Sequence, residues 1–257
     1  MSHLLRPKQG IIYGPVHSRR LGLSLGVNLM PPGAKTCSFD CVYCQYGWTD
    51  RHVRGLQSGP GFPTVPMVRE ALGAALEALP VPPDYITFSG NGEATLHPDF
   101  GAIAGEVAHL RDRYAPSAKT TILSNSSMAT SIKTREALAG LDAAIMKLDC
   151  GDQAFFQRYN RPCGEMTLGD IVLSLSELAV SMPVIIQALF ASGADGNFTS
   201  EHVHSWIECL KAIKSRSIQL YTLDRGHPAR DLKPLEKEEL EMIRDLAVRA
   251  GLPVQVY

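Results

Sequence analysis

Hydrophobic residues in this chain fall into short continuous runs, which alternate with longer segments where apolar residues recur at helical spacing. A continuous apolar run rich in β-branched and aromatic residues predicts a strand, whereas apolar residues three or four positions apart predict a helix. Strands are predicted at 21–30, 85–90, 120–125, 143–149, 184–190 and 217–223. Helices are predicted at 68–80, 98–114, 131–140, 167–181, 200–215 and 235–251.

The alternation of strands and helices predicts a parallel sheet with right-handed crossover connections. The strands are mostly continuous apolar runs, which is typical of a sheet covered on both faces. Six strand–helix units are fewer than the eight of a closed barrel, so an open partial barrel and a doubly wound sheet both remain. In either architecture we expect the chemistry at the carboxyl ends of the strands.

Composition adds few constraints. The chain has 257 residues, of which 45% are hydrophobic and 20% charged, and no clear boundary divides it, so one domain over 1–257 is expected. The net charge of −1 provides no general attraction to nucleic acid or to a membrane. The first residues lack a secretory signal and the apolar runs are too short to span a bilayer, so we expect a soluble cytoplasmic protein.

Three cysteines are concentrated in the loop after the first predicted strand, TCSFDCVYCQYG at 36–47. In the cytoplasm, clustered cysteines favour metal binding or catalysis over disulfides. Thiolates suit iron–sulfur clusters or zinc, and three of them would leave one iron of a four-iron cluster open. Two alternatives remain: zinc with His17 or His52 as a distant fourth ligand, and a buried helical face, which the preceding Pro-Pro-Gly run disfavours.

The spacing C-x3-C-x2-C, with Tyr43 just before the last cysteine, resembles the radical S-adenosylmethionine (SAM) superfamily. The resemblance implies a [4Fe-4S] cluster on Cys37, Cys41 and Cys44, with the amino and carboxylate groups of SAM on the fourth iron. It implies an enzyme that cleaves SAM reductively to a 5′-deoxyadenosyl radical, which takes a hydrogen atom from a substrate. It also implies a partial (β/α)6 barrel, in agreement with the six units counted above.

The second predicted strand ends in SGNGEATLHP at 89–98. Glycines let the backbone approach a ligand closely, and Glu93 offers a carboxylate to a cationic group. In the superfamily a Gly-Gly-Glu stretch at this position contacts the amino group of SAM. The resemblance assigns that role to Gly92 and Glu93, with Gly90 and Asn91 as neighbours, although Asn91 interrupts the glycine pair. An ordinary turn is the alternative.

Three further strand ends carry polar side chains. Ser124, Asn125 and Ser126 follow the third strand, where they would suit the ribose hydroxyls of SAM or simply cap the next helix. Lys147 and Asp149 alternate onto one side of the fourth strand, so they could hold SAM or substrate, or form a structural ion pair.

Gln187 lies within the apolar fifth strand, where a buried polar side chain needs a partner such as SAM or substrate. The resemblance also implies that the backbone of Leu220–Leu223, in the sixth strand, contacts adenine.

Residues 11–47 and 85–98, and the segment YTLDR at 221–225, are similar to the iron–sulfur oxidoreductase group that includes the tRNA wyosine-forming enzymes. Those enzymes hold a second cluster on additional N-terminal cysteines, whereas no cysteine precedes Cys37 here. The expected partners are therefore SAM, an external electron donor and an unidentified substrate, with tRNA as one possibility. A non-catalytic zinc or iron–sulfur binding module is the alternative from a different class.

The two basic stretches 17–20 and 51–54 flank the expected mouth of the site. They could bind a phosphate or carboxylate of the substrate, or be solvated charges. Of the other cysteines, Cys209 lies on a helix and is expected in the core, and Cys150 follows the fourth strand, close to the expected site. Together with Cys163 they show no second cluster motif.

Overall fold

A mostly parallel sheet of eight strands forms the centre of the protein in the computed structural model, which describes residues 4–257. The strands are β1 Ile12–Ser18, β2 Gly22–Val27, β3 Thr36–Cys37, β4 Arg51–His52, β5 Tyr85–Phe88, β6 Lys119–Ser124, β7 Ala143–Lys147, β8 Val184–Leu189, β9 Ala191–Ser192, β10 Ser217–Tyr221, β11 Lys233–Pro234 and β12 Val254–Val256. The helices are α1 Val65–Ala78, α2 Phe100–Tyr114, α3 Ile132–Ala139, α4 Gln153–Phe155, α5 Leu168–Ser181, α6 Ser200–Ile213 and α7 Lys237–Arg249.

The main sheet runs in the order β1-β2-β5-β6-β7-β8-β10-β12, and its two edge strands are not paired with each other. Strands β2 to β12 of this sheet are parallel, while β1 is antiparallel to β2. The six predicted strands are β2, β5, β6, β7, β8 and β10, and a helix follows each of them in the chain. The predicted partial (β/α)6 barrel with parallel strands is therefore confirmed, and it is open.

The two edge strands are not evident from the apolar pattern. Strand β1 contains Gly14-Pro15 in its middle, and its register with β2 shifts between Tyr13 and Val16. A proline cannot donate to a ladder of hydrogen bonds, so it is tolerated at the edge of a sheet, as here. Strand β12 has only three residues, too few for a recognisable alternation.

Side-chain caps set where the helices begin. The side chains of Thr64, Ser131, Thr167 and Thr199 each accept a hydrogen bond from a backbone N–H in the first turn of α1, α3, α5 and α6. These caps satisfy amides that have no partner within the helix. Helix α1 thus begins at Val65, three residues before the apolar pattern predicts, because Thr64 caps it.

The loop after β2 is fastened to the loop after β5. Short strands β3 and β4 pair in parallel within the first loop, and Thr36 bridges to Gly92 in the second. Both loops leave the carboxyl ends of neighbouring parallel strands, so the cysteines and the glycine-rich stretch meet at one end of the barrel. No helix in residues 4–257 has the length and apolar character needed to cross a bilayer.

Candidate active site

A cavity of about 630 Å³ opens at the carboxyl ends of the strands and continues into the barrel. Its volume is in the range of small-molecule sites. Eleven residues of the predicted site line it: Cys37, Cys41, Tyr43, Cys44, Gly90, Gly92, Glu93, Ser124, Asn125, Lys147 and Gln187. The other three, Asn91, Ser126 and Asp149, lie behind this wall.

The three clustered cysteines lie in the loop after β2, as the preceding Pro-Pro-Gly run predicts, and not on a helix: Cys37 ends the two-residue strand β3, and Cys41 and Cys44 flank the turn that follows. The amide of Cys44 donates to the carbonyl of Cys41 at 3.1 Å, and the amide of Gly47 donates to the carbonyl of Cys44 at 2.9 Å. Amide side chains approach two of the sulfurs: Asn125 Nδ2 is 3.4 Å from Cys37 Sγ, and Asn160 Nδ2 is 3.6 Å from Cys41 Sγ.

Lys35 is the main charged neighbour of this loop, and the sequence alone does not assign it a role. Its side chain is buried and donates to the carbonyl of Gly47 at 2.9 Å. Burial raises the pKa of Cys37 to about 12 and that of Cys41 to about 11, while Lys35 acts in the opposite direction on both. Lys35 is thus placed to balance negative charge on the sulfurs. In the sequence Lys35 stands two residues before Cys37, but the C-x3-C-x2-C motif does not include it.

The donor set fits the cluster that the resemblance implies. All six cysteines are free thiols, and the three in the loop open onto one cavity beside a buried cation. No group of three or more His, Cys, Asp or Glu side chains within 4–257 is arranged to hold a single metal ion. Each cysteine of a cubane ligates a different iron, so the thiolates need not converge on one point. The cysteines therefore suit a cluster through their shared cavity and their chemistry.

The glycines of the second loop line the cavity and also pack closely against other backbone and side-chain atoms. Both have positive φ, +138° at Gly90 and +139° at Gly92. A Cβ on Gly92 would overlap the carbonyl of Thr36, and one on Gly90 would lie 2.6 Å from Asn28 Oδ1. These glycines permit close packing of protein on protein, which fixes the second loop against the cysteine loop. Thr36 Oγ1, at this junction, is buried without a hydrogen-bond partner among residues 4–257.

Glu93 is buried with both carboxylate oxygens in use. Oε1 accepts from Thr95 N at 3.1 Å, Thr95 Oγ1 at 2.5 Å and Ser124 Oγ at 2.9 Å, and Oε2 accepts from Asn125 N at 2.6 Å. Burial raises the pKa of Glu93, and the bonds from Asn125 and Thr95 offset part of that rise. Only Oε2, with a single protein donor, has capacity for a ligand donor in the cavity.

Ser124, Asn125 and Ser126 form the support of this carboxylate. Asn125 also donates from Nδ2 to Ser38 Oγ at 2.9 Å, which ties the end of β6 to the cysteine loop. Ser126 has a positive φ of 74° and donates from Oγ to the carbonyl of Lys147 at 2.8 Å. Ser124 and Asn125 therefore face the cavity, whereas Ser126 shapes the turn behind it.

Lys147 and Asp149 lie on the same side of the chain, as the alternation predicts, with Lys147 Nζ 3.5 Å from Asp149 Oδ1. Burial lowers the pKa of Lys147, but Asp149 and Tyr221 raise it by more, so the net shift is upward. Asp149 also accepts from the Tyr43 hydroxyl and from Asn160 Nδ2, and the Tyr43 ring centroid lies 4.9 Å from that of Tyr159. A neutralised ion pair thus anchors the aromatic residue of the cysteine motif.

Gln187 faces the cavity but its carbonyl oxygen already has protein partners. Oε1 accepts from Arg20 Nη1 at 3.0 Å and from the Tyr221 hydroxyl at 3.4 Å. Tyr221 and Leu223, within the segment expected to contact adenine, also line the cavity. The sequence shows Arg20 only as one member of a basic stretch; its contacts depend on strands from the far side of the barrel, which local sequence does not show.

Asn91 is fully buried and its side chain turns away from the cavity. Its Oδ1 accepts from the amide of Lys8 at 2.6 Å, and its Nδ2 donates to the carbonyls of Lys8 at 2.8 Å and Pro31 at 3.1 Å. The residue that interrupts the Gly-Gly pair therefore holds the segment before β1 in place. All of its amide hydrogen-bonding groups have protein partners.

The two basic stretches differ. Residues 17–20 line the cavity, whereas residues 51–54 do not. Cys150, Cys163 and Cys209 are apart from the cavity wall as well. The buried Cys150 thiol donates to Asn160 Oδ1 at 3.3 Å, so it lies behind the ion pair, and Cys209 is only partly buried on α6.

No family model matches this chain. It is 33% identical over 230 residues to a UPF0026 protein of Synechocystis, covering 88% of this chain and 78% of that protein. It is 30% identical over 236 residues to a UPF0026 protein of Methanocaldococcus jannaschii, covering 91% and 70%. A Brachyspira hyodysenteriae protein named GTPase Obg is 30% identical over 230 residues, but this chain spans only 32% of it.

Several solved structures share the fold of this chain at low sequence identity. A radical SAM methyltransferase of Sphaerobacter thermophilus superposes with a TM-score of 0.65 at 14% identity, over 91% of this chain and 65% of that one. TYW1, solved with a lysine–pyruvate adduct, gives 0.65 at 15% identity, over 88% and 73%. Streptococcus suis SuiB bound to SAM gives 0.64 at 14% identity, over 87% of this chain and 48% of SuiB. The chain therefore shares its fold with a radical SAM methyltransferase and with TYW1, as the resemblance predicts.

Proposed function

The chain belongs to the UPF0026 family, and we propose that it is an enzyme of the radical SAM type. The observation that carries the proposal is the placement of Cys37, Cys41 and Cys44 on one cavity with Glu93, at the carboxyl ends of the parallel strands. In a parallel barrel this end is where chemistry is performed. The proposal accounts for a cysteine motif that lacks a fourth thiol and for a buried carboxylate beside it.

In this proposal Cys37, Cys41 and Cys44 would hold a [4Fe-4S] cluster. When bound, such a cluster supplies the single electron that cleaves SAM to methionine and a 5′-deoxyadenosyl radical. Lys35 balances the negative charge of the thiolates, since it is buried beside them. Asn125 stabilises the Cys37 sulfur from the side, through an amide nitrogen 3.4 Å away.

We assign SAM to the part of the cavity next to the cysteines. Glu93 Oε2 would accept from its amino group, and Ser124 and Asn125, which hold Glu93, line the adjoining wall. Tyr43 and Lys147 complete the SAM pocket in this assignment, together with Gly90 and Gly92, whose backbones line the cavity. Gln187, for which SAM and substrate are both candidates, is assigned to the substrate, because its Oε1 accepts from Arg20. Asn91, Ser126 and Asp149 act one layer behind, by holding the loops and Lys147 in place.

Anaerobic reconstitution with iron and sulfide tests the proposal. We expect about four irons and four sulfides per chain. With dithionite as the reductant, SAM should then be converted to 5′-deoxyadenosine. A colourless protein that holds one zinc ion would refute the proposal and favour the non-catalytic binding module.

A wyosine-type reaction on tRNA is the second candidate, and the similarity in fold to TYW1 is what favours it. It predicts tRNA binding that weakens steeply as the salt concentration rises, since phosphate contacts dominate such affinity. Fluorescence anisotropy of labelled tRNA between low and physiological salt separates it from a small-molecule reaction, for which no tRNA binding is expected. Either reaction needs an external electron donor, for which dithionite substitutes in these assays.

A further inference from the structure

Arg20 enters the cavity from the hairpin between β1 and β2. This hairpin precedes the amino end of β2, whereas the cysteine loop follows the carboxyl end of the same strand. The two ends of a six-residue strand are about 17 Å apart. The backbone of Arg20 is therefore at the opposite end of β2 to the cysteines, and its long side chain brings the guanidinium to Tyr221, the last residue of β10.

The Arg20 guanidinium is held on one edge only. Its Nη1 donates to Gln187 Oε1 at 3.0 Å and to Gln219 Oε1 at 3.2 Å, two buried residues paired across β8 and β10. The face of the group lies 4.5 Å from the ring centroid of Tyr221. Within the described chain, Nε and Nη2 donate to no residue. The group is fixed in orientation, and its second edge stays available for two parallel hydrogen bonds.

The charge of Arg20 has no counterion among residues 4–257. Lys147, which faces the same Tyr221 ring, is paired with Asp149, and the neighbouring Arg19 is paired with Asp224 at 3.1 Å. Arg20 instead donates only to neutral amide oxygens. Amides orient a cation without neutralising it, so an uncompensated positive charge remains inside the cavity.

Positive charge predominates over the cavity as a whole. Cations outnumber carboxylates in its lining, since only Glu93 and Asp224 are acidic among the described residues that line it. An arginine with a free edge forms paired hydrogen bonds with a carboxylate or a phosphate, which share the required spacing of two oxygens. The basic residues of the lining are Lys8, Arg19, Arg20, Lys35, Lys147 and Arg225.

We propose that Arg20 binds a carboxylate or phosphate group of the substrate, so that the substrate is a small anionic molecule sharing the cavity with SAM. The inference rests on the proposed function. The anion at Arg20 is not the carboxylate of SAM, because in SAM the carboxylate and the amino group are attached to one carbon. If Glu93 holds the amino group, both groups lie at the cysteine end.

Thermal unfolding of the full chain in different salts tests this site. The midpoint is compared in sodium phosphate, sodium malonate and sodium chloride at equal ionic strength, for the wild type, Arg20→Gln and Arg19→Gln. General salt effects act on all three proteins, but a bound anion stabilises only a protein that has its site. Arg19→Gln is the matched control, since Arg19 adjoins Arg20 but is exposed and paired with Asp224.

We expect phosphate or malonate to raise the midpoint of the wild type and of Arg19→Gln well above that of Arg20→Gln. A larger rise in phosphate identifies a phosphate group, and a larger rise in malonate identifies a carboxylate. The loss of one charged, paired hydrogen-bonding group should weaken anion binding at least about tenfold. Equal rises in all three proteins would overturn the inference.

SAM affinity supplies the second measurement, on reconstituted protein. Arg20→Gln should leave the Kd for SAM within about twofold of wild type, whereas a loss of about tenfold or more would make Arg20 a SAM residue and overturn the inference. If Arg20→Gln does not fold, Arg20→Lys replaces it. The lysine keeps the charge but lacks the forked pair of N–H donors, so an undiminished anion effect would contradict the proposed geometry.

The anion effect needs no cluster, and 5′-deoxyadenosine formation needs no anion. Absence of the anion effect alone refutes the anion site. Absence of 5′-deoxyadenosine formation alone refutes the proposed function.

Discussion

The two ends of strand β2 lead to two different kinds of site. At the carboxyl end, the charged groups already have partners: Glu93 accepts four hydrogen bonds, and Lys35 adjoins three cysteines. At the amino end, Arg20 is positioned by two neutral amides and keeps its charge. In our proposals the first arrangement holds a cofactor in a fixed position, and the second attracts an anion that arrives and leaves.

The largest effect that separates the two ends is expected from Cys41→Ala. Removal of one of three ligands should abolish cluster binding and SAM cleavage, because no other cysteine lines the cavity in residues 4–257. Iron content measures cluster binding, and 5′-deoxyadenosine formation measures SAM cleavage. Cys209→Ala is the control, since Cys209 lies on α6 away from the cavity, and it should retain full activity. Anion binding at Arg20 should survive in either variant, whereas its loss in Cys41→Ala would mean that the two ends form one site.

Gly92→Ala tests whether the carboxyl end depends on the contact between its two loops. A Cβ at a φ of +139° would overlap the Thr36 carbonyl, so the loops must separate. We expect the free energy of unfolding to fall by about 3 kcal/mol, measured by urea titration. Gly73→Ala is the matched control: Gly73 lies in α1, and an alanine Cβ there would meet no atom within 4 Å, so this substitution should stabilise the protein by about 0.5–1 kcal/mol. Equal effects of the two substitutions would show that the contact between the two loops tolerates a Cβ at residue 92.

The same contrast explains which features could be predicted from sequence. The strands of the barrel are continuous apolar runs, and the cysteines and Glu93 lie directly after two of them, so local pattern and topology placed them at one end. The pairing of Lys147 with Asp149 followed from simple alternation along the chain. These predictions succeeded because each depends on residues near one another in sequence or on the rule that parallel strands end together.

Other features depend on contacts between distant segments. Arg20 meets Gln187 and Gln219, which are 167 and 199 residues away, so no local pattern could show that two amides would orient it. The sequence predicts close approach of a ligand to Gly92, but it could not show that the Thr36 carbonyl lies where a Cβ on Gly92 would be. Strand β1 was missed because Gly14-Pro15 interrupts it, and only its place at the sheet edge makes that acceptable.

The smallest of these effects is expected from Glu93→Gln, and it sharpens the comparison most. Glutamine keeps the size of the side chain but loses the negative charge and one acceptor, so SAM should bind about tenfold more weakly, while the iron content stays at the wild-type value. Equilibrium dialysis of SAM against reconstituted protein measures the affinity. Glu70→Gln, an exposed position on α1, is the control and should bind SAM as the wild type does.

Glu93→Gln and Arg20→Gln should therefore give reciprocal results. The first should weaken SAM binding and leave the phosphate- or malonate-dependent rise in unfolding midpoint intact, and the second should do the reverse. Two ligands held by different side chains of one cavity require this pattern, because each variant removes a contact to one ligand only. If Glu93→Gln left SAM affinity unchanged, Glu93 would serve only as the acceptor for Thr95, Ser124 and Asn125, and the loop after β5 would be a structural turn.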